Sequence, residues 1–385
     1  MTISALAAGM AGGGLALQVG SAAIAALRCR RGARPLPAPA DAPPVTIVQP
    51  LCGVEAFSKA TLGSIFALNY PDYEIVFCVA DPADPIAPIA RRAMAAHPEI
   101  PSRLLIGDDR VSANPKLNNV VKGWKAARHD WIVIADSNVL APRDYVQRLL
   151  ARWRADTGVV CAPPLGAQPQ SFAAEIECAF LNTYQARWQY AAEALGFGFA
   201  QGKTMLWRRD VLEAGGGIEA LGAEIAEDAA ATKLVHRADR RAHLASPPSQ
   251  QPLGARTLRD VWARQVRWAR LRRATFPLYF APEIATTSLL TLAAAAIGGD
   301  ELGVGAPTAV LLAAAIWYGA EAGLAAAAGW PLAWSSLPAW IARDLALPVL
   351  WLSGWMNARF VWRGNVMSAD EETLAAEGPS GGTAG

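Results

Sequence analysis

The chain has 385 residues, of which 53% are hydrophobic and 18% charged, with a formal net charge of +2. That length allows more than one domain, and the near-neutral charge shows no bias toward nucleic acid. The five cysteines form no CxxC pair and the four histidines show no metal-ligand spacing, which argues for reduced thiols in a cytosolic setting and against a disulfide framework.

Ile3 to Leu27 contains no charged residue. As a helix rising about 1.5 Å per residue it would reach roughly 37 Å, more than the ~30 Å hydrocarbon core of a bilayer. Arg28, Arg30, Arg31 and Arg34 follow at once. A cleaved signal peptide would place basic residues before its apolar run, not after it. Residues 1–27 therefore read as an uncleaved anchor, with the N-terminus outside and the following domain in the cytosol. The Gly12-Gly13-Gly14 run weakens this helix. Residues 28–44, with "GARPLPAPADAPP" at 32–44, read as a basic, proline-rich linker.

Strands then alternate with helices. "VTIVQPLCG" (45–53) is a strand ending in a turn, and residues 56–68 carry a helical pattern. "YEIVFCVADPADP" (73–85) is a second strand that ends at Asp81, followed by helical residues 86–97. "SRLLIGDD" (102–109) is a third strand. "NPKLNNVVKGWKAARH" (114–129) turns into a helix, and "WIVIADSN" (131–138) is a strand ending at Asp136. This order predicts a doubly wound, Rossmann-like parallel sheet over residues 45–280. Ligands bind beyond the carboxyl ends of such strands, which is where Asp81 and Asp136 fall. Aspartate is also a common turn residue, so the pattern leaves both readings open.

From Ile284 to Ala358 the only charged residues are Asp300, Glu301, Glu321, Arg343 and Asp344. Residues 281–360 thus read as a C-terminal membrane region with two to four hydrophobic segments, near 284–299, 303–320, 322–342 and 345–358. Arg264, Arg267, Arg270, Arg272 and Arg273 mark its near border as cytosolic. Residues 361–385, closing on "EGPSGGTAG", read as a polar, disordered tail.

Two further clusters stand out. "IAEDAAATKL" (225–234) places Glu227 and Asp228 ahead of a helical run, a placement that is also favourable for any acidic helix start. "WARQVRWARLRR" (262–273) carries Arg264, Arg267 and Trp268 at helical spacing, as a juxtamembrane amphipathic helix on anionic lipid also would. "FGFAQGKTML" ends like a phosphate-binding P-loop, but that motif needs glycine five positions before Gly202, and position 197 is Phe. An ATPase is not inferred.

Taken together, Asp81, Asp136, Asp228 and Arg264-Gln265-Val266-Arg267-Trp268 resemble the three aspartates and (Q/R)xxRW motif of the family 2-type GT-A glycosyltransferases. "NPKLNN" (114–119), "DSN" (136–138), "QGKTMLWRRDVLEAGG" (201–216) and "IAEDAAATK" (225–233) are similar, in order, to the ceramide glucosyltransferase group. The resemblance covers roughly 45–280 together with the flanking apolar segments. It implies a GT-A nucleotide-diphospho-sugar transferase domain between transmembrane helices. The implied activity is inverting transfer of a hexose, glucose first, from a UDP-sugar to the primary hydroxyl of a membrane lipid, ceramide first. Diacylglycerol or a hopanoid as acceptor, and UDP-galactose, UDP-N-acetylglucosamine or UDP-glucuronate as donor, fit the same pattern.

The resemblance assigns Asp228 as general base. Asp81, Asp136, Lys116, Asn118, Arg264, Arg267 and Trp268 would bind the donor, the arginines carrying diphosphate charge. Mg²⁺ or Mn²⁺ would sit on Asp136 and Asn138, where Asn138 replaces the second carboxylate of a DxD motif and weakens the site. The implied location is an integral membrane protein with its catalytic domain in the cytosol, in the inner membrane if the chain is bacterial. No partner protein and no nucleic acid is implied. An inactive scaffold would have little reason to keep all three acids with the Arg/Trp motif.

Overall fold

The computed structural model describes residues 2–30, 35–356, 359–362 and 365–368. Arg31 and Arg34 of the basic border lie outside these residues, as does the tail from 369 onward. Helix α1 (Ile3–Arg28) runs unbroken through the glycine run. The α/β body follows as β1 (Val45–Leu51), α2 (Ser58–Ser64), β2 (Tyr73–Val79), α3 (Ala87–Ala96), β3 (Ser102–Ile106), α4 (Pro115–Ala126), β4 (Trp131–Ala135) and α5 (Tyr145–Leu150). Then come β5 (Thr157–Cys161), β6 (Pro164–Pro169), α6 (Phe172–Ala179), a π-helical turn (Phe180–Ala186), α7 (Arg187–Ala194), β7 (Thr204–Arg208) and α8 (Arg209–Ala214). The body closes with α9 (Glu227–Arg237), β8 (Arg241–Leu244), β9 (Ser249–Gly254) and α10 (Leu258–Thr275).

The main sheet has the order β3-β2-β1-β4-β7-β5-β8. Its first four strands are parallel, and β7 enters antiparallel to both β4 and β5. The α/β expectation therefore holds, with an all-parallel half followed by a mixed half. Both faces are covered, as continuous apolar strands require. Val48, Val76, Ile132 and Ile134 pack on one side with Val120 and Trp124 of α4. Ile47, Ile75, Phe77 and Val133 pack on the other with Leu62, Ile86, Val146 and Leu149. β1, β2 and β4 all end at the same edge, just before Cys52, Asp81 and Asp136.

The apolar helices join this core directly. Ala22 and Ala25 of α1 share it with Leu324 and Ala325 of a later helix. α11 (Pro277–Phe280) leads through a 3₁₀ turn (Ala281–Thr286) into α12 (Ser288–Gly298), then α13 (Ala306–Ala328) and α14 (Ser336–Met356). α1 and α13 are long and apolar enough to cross a membrane, and the segment 277–298, bent by 47°, would make a third span if it crosses as one. Leu6, Met10, Leu311, Leu312 and Ile316 point outward and exposed along α1 and α13, as lipid-facing side chains do. A Cβ on Gly14 would fall 2.4 Å from Thr291 Oγ1, so this glycine permits the close approach of α1 to α12, the use small residues have between membrane helices.

The breaks between later segments differ from the sequence expectation. Glu321 does not end a helix, because it is fully buried and paired inside α13. The chain turns instead at Gly329, whose φ of 72° caps α13 in the left-handed region, ahead of Pro331. β10 (Arg359–Trp362) and β11 (Asn365–Ser368) form a short antiparallel pair where the sequence pattern predicts the start of the tail. Four of the five cysteines are buried and none forms a disulfide, and Cys52 is exposed beyond the end of β1.

Candidate active site

A cleft of about 1750 Å³ opens at the carboxyl edge of the sheet. Every residue singled out from the sequence lines it: Asp81, Lys116, Asn118, Asp136, Asn138, Asp228, Arg264, Arg267 and Trp268. Its far end is formed by Phe276, Tyr279, Phe280, Glu283 and Thr286, the stretch that leads into α12.

The "NPKLNN" segment has a local role for nearly every residue. Asn114 caps α4, its Oδ1 accepting from the Lys116 and Leu117 N–H groups at 2.8 and 3.2 Å, and Pro115 suits the first helical turn, where no N–H is needed. The Asn114 amide donates to Glu227 Oε2 at 2.7 Å. Leu117 enters the core. Asn118 is spent on the loop before α4, accepting from Val111 N–H and Ser112 N–H at 3.1 and 3.0 Å and donating to the Ser112 carbonyl at 3.0 Å. Asn119 bridges two strand ends, donating to the Leu51 and Cys78 carbonyls at 3.2 and 2.7 Å. Lys116 alone turns its charge into the cleft.

Lys116 Nζ lies 2.7 Å from Asp136 Oδ1 and 2.5 Å from Glu227 Oε1, and donates to the Gly202 carbonyl at 2.5 Å. Asp136 Oδ2 accepts from Lys203 Nζ at 2.8 Å, and that ammonium also donates to Asn138 Oδ1 at 3.1 Å. Burial disfavours the charge on Lys116, but Asp136 and Glu227 outweigh it and raise its pKa. Burial likewise opposes the Asp136 charge, and the two lysines overcome it and hold the carboxyl far below its ordinary range. Both groups are therefore fixed in their charged forms.

Asp228 sits in the first turn of α9. Its Oδ2 accepts from the Gly202 N–H at 3.0 Å and its Oδ1 from its neighbour Ala229 N–H at 2.9 Å. Burial, then the charge of Glu227, push its carboxyl up to about 6, against the pull of Lys116 and the two backbone donors. The two adjacent acids thus sit in different surroundings: Glu227 is locked to Lys116 and Asn114, while the Asp228 carboxyl is held above its ordinary range. Gly202 is required between them, since a Cβ there would fall 2.7 Å from Glu227 Oε1 and 3.3 Å from Asp228 Oδ2.

Asp81 is exposed and shapes its own turn, accepting from Ala83 N–H at 2.8 Å. Nearby Asp84 accepts from Gly53 N–H through both oxygens, at 3.0 and 2.9 Å, and ties the β1 loop to the β2 loop. α10 begins with a Thr257/Asp260 capping box and lays Arg264, Arg267 and Trp268 along the cleft. Arg264 is paired with the fully buried Glu177 of α6. Trp268 packs beside Leu181 and Leu253. Further along, Arg272 holds Glu283 through two contacts of 2.9 and 3.0 Å.

Sequence reasoning missed Lys203, Glu227's pairing, Asn114 and Asp84. The sequence signals for Lys203 are the "GK" of the false P-loop and its place in the "QGKTMLWRRDVLEAGG" segment, neither of which pairs it with Asp136. "DPADP" carries a second acid, Asp84, three residues after Asp81. Among the described residues no group of three or more His, Cys, Asp or Glu could hold a metal ion.

The profile of "Glycosyl transferase family 21" matches residues 14–375, so the chain belongs to that family. Ceramide glucosyltransferase 1 of Caenorhabditis elegans is 27% identical over 237 residues, 61% of this chain and 51% of that protein. Ceramide glucosyltransferase 3 of the same organism is 23% identical over 331 residues, 84% of this chain and 72% of that protein. Ceramide glucosyltransferase of Komagataella phaffii is 37% identical over 108 residues, 27% and 21% of the two chains. The chain thus spans about half the length of the first of these relatives. Among solved structures, the mannosyltransferase PcManGT from Pyrobaculum calidifontis in complex with GDP-Man and Mn²⁺ aligns with a TM-score of 0.49 at 20% identity, over 92% of this chain and 98% of that one.

Proposed function

We propose that this member of glycosyl transferase family 21 is an inverting transferase that moves a hexose, glucose first, from a UDP-sugar to the primary hydroxyl of a ceramide-like membrane lipid. One observation carries this reading: a single cleft runs from the sheet-edge acids past Asp228 to the segment entering the apolar helices. A water-soluble donor and a lipid held in the bilayer could meet nowhere better. The ceramide glucosyltransferase relatives and the family membership support it.

In this proposal the acceptor hydroxyl oxygen attacks the anomeric carbon of the sugar. The new C–O bond forms as the bond from that carbon to the UDP oxygen breaks on the opposite face, so configuration inverts. Asp228 takes the hydroxyl proton as the oxygen attacks, a contribution of about 10²–10⁴-fold for such a base. Lys116, Arg264, Arg267 and Trp268 face the diphosphate as its charge grows. Asn118 acts at one remove, by fixing the loop that borders the donor, and Asp81 would take the ribose or base.

For a divalent cation, Asp136 would be the carboxylate ligand, with Asn138 beside it, and both already accept from lysine. These side chains do not build a metal site alone. An ion would come with the diphosphate and supply positive charge to it. Residues 45–280 form the catalytic domain in this reading, cytosolic between the anchor and the C-terminal membrane region.

The test is product formation in membranes containing the protein, with a panel of UDP-sugars and with ceramide, diacylglycerol or a hydroxylated hopanoid, read by mass spectrometry. Hexosylceramide made by the wild type and not by Asp228→Asn is the expected result. Product only on another lipid would overturn the ceramide assignment, and no product with any pair would favour an inactive scaffold.

A further inference from the structure

Residue 203 is brought to Asp136 by strand pairing. β4 and β7 run antiparallel with Ala135 opposite Thr204, so the residue after β4 faces the residue before β7. The Asp136 N–H donates to the Lys203 carbonyl at 2.9 Å and extends the ladder by one step. Backbone register therefore places the Lys203 side chain, and its ammonium bridges Asp136 Oδ2 and Asn138 Oδ1. Those are the two oxygens a divalent ion would share. The Lys203 side chain is 15% exposed and borders the cleft.

Two of the site's carboxylates already have ammonium partners. Asp136 and Glu227 are met by Lys116 and Lys203 at 2.5 to 2.8 Å. A divalent ion at the same point would sit within about 3 Å of an ammonium and be strongly repelled by it. Asn138 adds no negative charge to offset it. Building the site this way makes sense if the positive charge the diphosphate needs is carried by the chain.

We propose that Lys203 is the resident cation of the donor site: it holds the position between Asp136 and Asn138 and passes its charge to the diphosphate of a nucleoside-diphosphate ligand, so that donor binding does not require a divalent ion. This rests on the reading of the cleft as a UDP-sugar site. The four-carbon stem lets the ammonium turn from the carboxylate to a phosphate oxygen while Lys116 keeps Asp136 paired.

The experiment is UDP binding by calorimetry to the full chain in detergent, in EDTA and in Mn²⁺, for wild type, Lys203→Met and Lys203→Arg. Free Mn²⁺ is followed by electron paramagnetic resonance without nucleotide. Wild type should bind UDP nearly equally in both buffers and take up no Mn²⁺ alone. Lys203→Met should lose about tenfold or more in UDP affinity in EDTA, the size of one charge-assisted contact, and regain it with Mn²⁺. Lys203→Arg should behave as wild type. Wild-type binding that vanishes in EDTA and returns with Mn²⁺ overturns the proposal, and that arm stands even if Lys203→Met fails to fold. A Lys203→Met protein that binds UDP like wild type in EDTA also overturns it. Wild type that binds no UDP in either buffer overturns the UDP-sugar reading itself.

Discussion

Asp228→Asn separates folding from chemistry at the proposed base. The carboxylate accepts one backbone N–H at each oxygen, from Gly202 at 3.0 Å and Ala229 at 2.9 Å. An asparagine in its place can accept one and must turn its NH₂ toward the other. Leaving one N–H without its partner costs about 1–3 kcal/mol. Against this, the substitution removes a negative charge beside Glu227, and the carboxyl's rise to about 6 records how unfavourable that buried charge is. The two effects oppose each other, so the variant should fold, insert and bind UDP, with a melting temperature lowered by a few degrees at most. Turnover is governed differently, because the amide cannot accept the hydroxyl proton. The expected loss is about 10²–10⁴-fold, or ~2.7–5.4 kcal/mol in the barrier. Initial rates of lipid hexosylation, UDP binding and thermal unfolding on one preparation test it. Near-normal turnover would refute the base assignment, and loss of the folded protein would refute the packing argument.

The same carboxyl fixes a pH dependence. Only its ionised form can take a proton, and a pKa held up at about 6 by burial and Glu227 means activity should climb as pH rises through that value and level off above it. A profile that turns instead near 4, the ordinary carboxylate value, would refute the shift. Gly202→Ala should keep the fold and cut turnover more than UDP affinity, since its Cβ would push on Glu227 Oε1 and Asp228 Oδ2, an overpacking of about 1–3 kcal/mol; equal effects on both, measured by kinetics and calorimetry, would argue against it. Glu321→Leu should lower stability by about 1–3 kcal/mol, because Arg343 would lose two contacts of 2.9 and 2.7 Å while keeping Asp344; an unchanged unfolding curve in detergent would count against this.

The parallel half of the sheet was legible because β1, β2 and β4 are buried along most of their length and read as apolar runs, two of them followed by an acid, Asp81 and Asp136. The mixed half was not, since "TMLWR" at 204–208 says nothing of direction, and it is the antiparallel entry of β7 that delivers Lys203. The three aspartates and the Arg/Trp helix could be picked out as candidates by motif order. Their partners could not, because Asn114–Glu227 and Lys116–Asp136 join residues far apart in sequence. Asn118 illustrates the limit: its motif position suggested contact with donor, while its amide is consumed by the loop at 107–114. The helix breaks in the apolar region failed for the same reason, since Glu321 looks like a boundary until Arg343 is placed against it.

That pairing bears on how the cleft is held relative to the apolar helices. Arg343 of α14 binds Glu321 of α13, its neighbour Asp344, Thr183 Oγ1 at 3.0 Å and the Ala179 carbonyl at 3.2 Å. Gln18 of α1 donates to Glu321 Oε1 at 3.2 Å and accepts from Arg187 of α7. Thr183 lies in the π-helical turn, and the next residues, Tyr184 and Gln185, line the cleft. Buried ion pairs often contribute little net stability, because desolvation offsets the attraction. What such a network does supply is a fixed geometry, since each member must meet its partners or strand a charge. Three apolar helices and one wall of the cleft are therefore locked to a common set of polar atoms. In the proposed reaction Asp228 must meet a hydroxyl at the membrane surface, which needs that distance constant, and an apolar contact, free to slide, would not hold it.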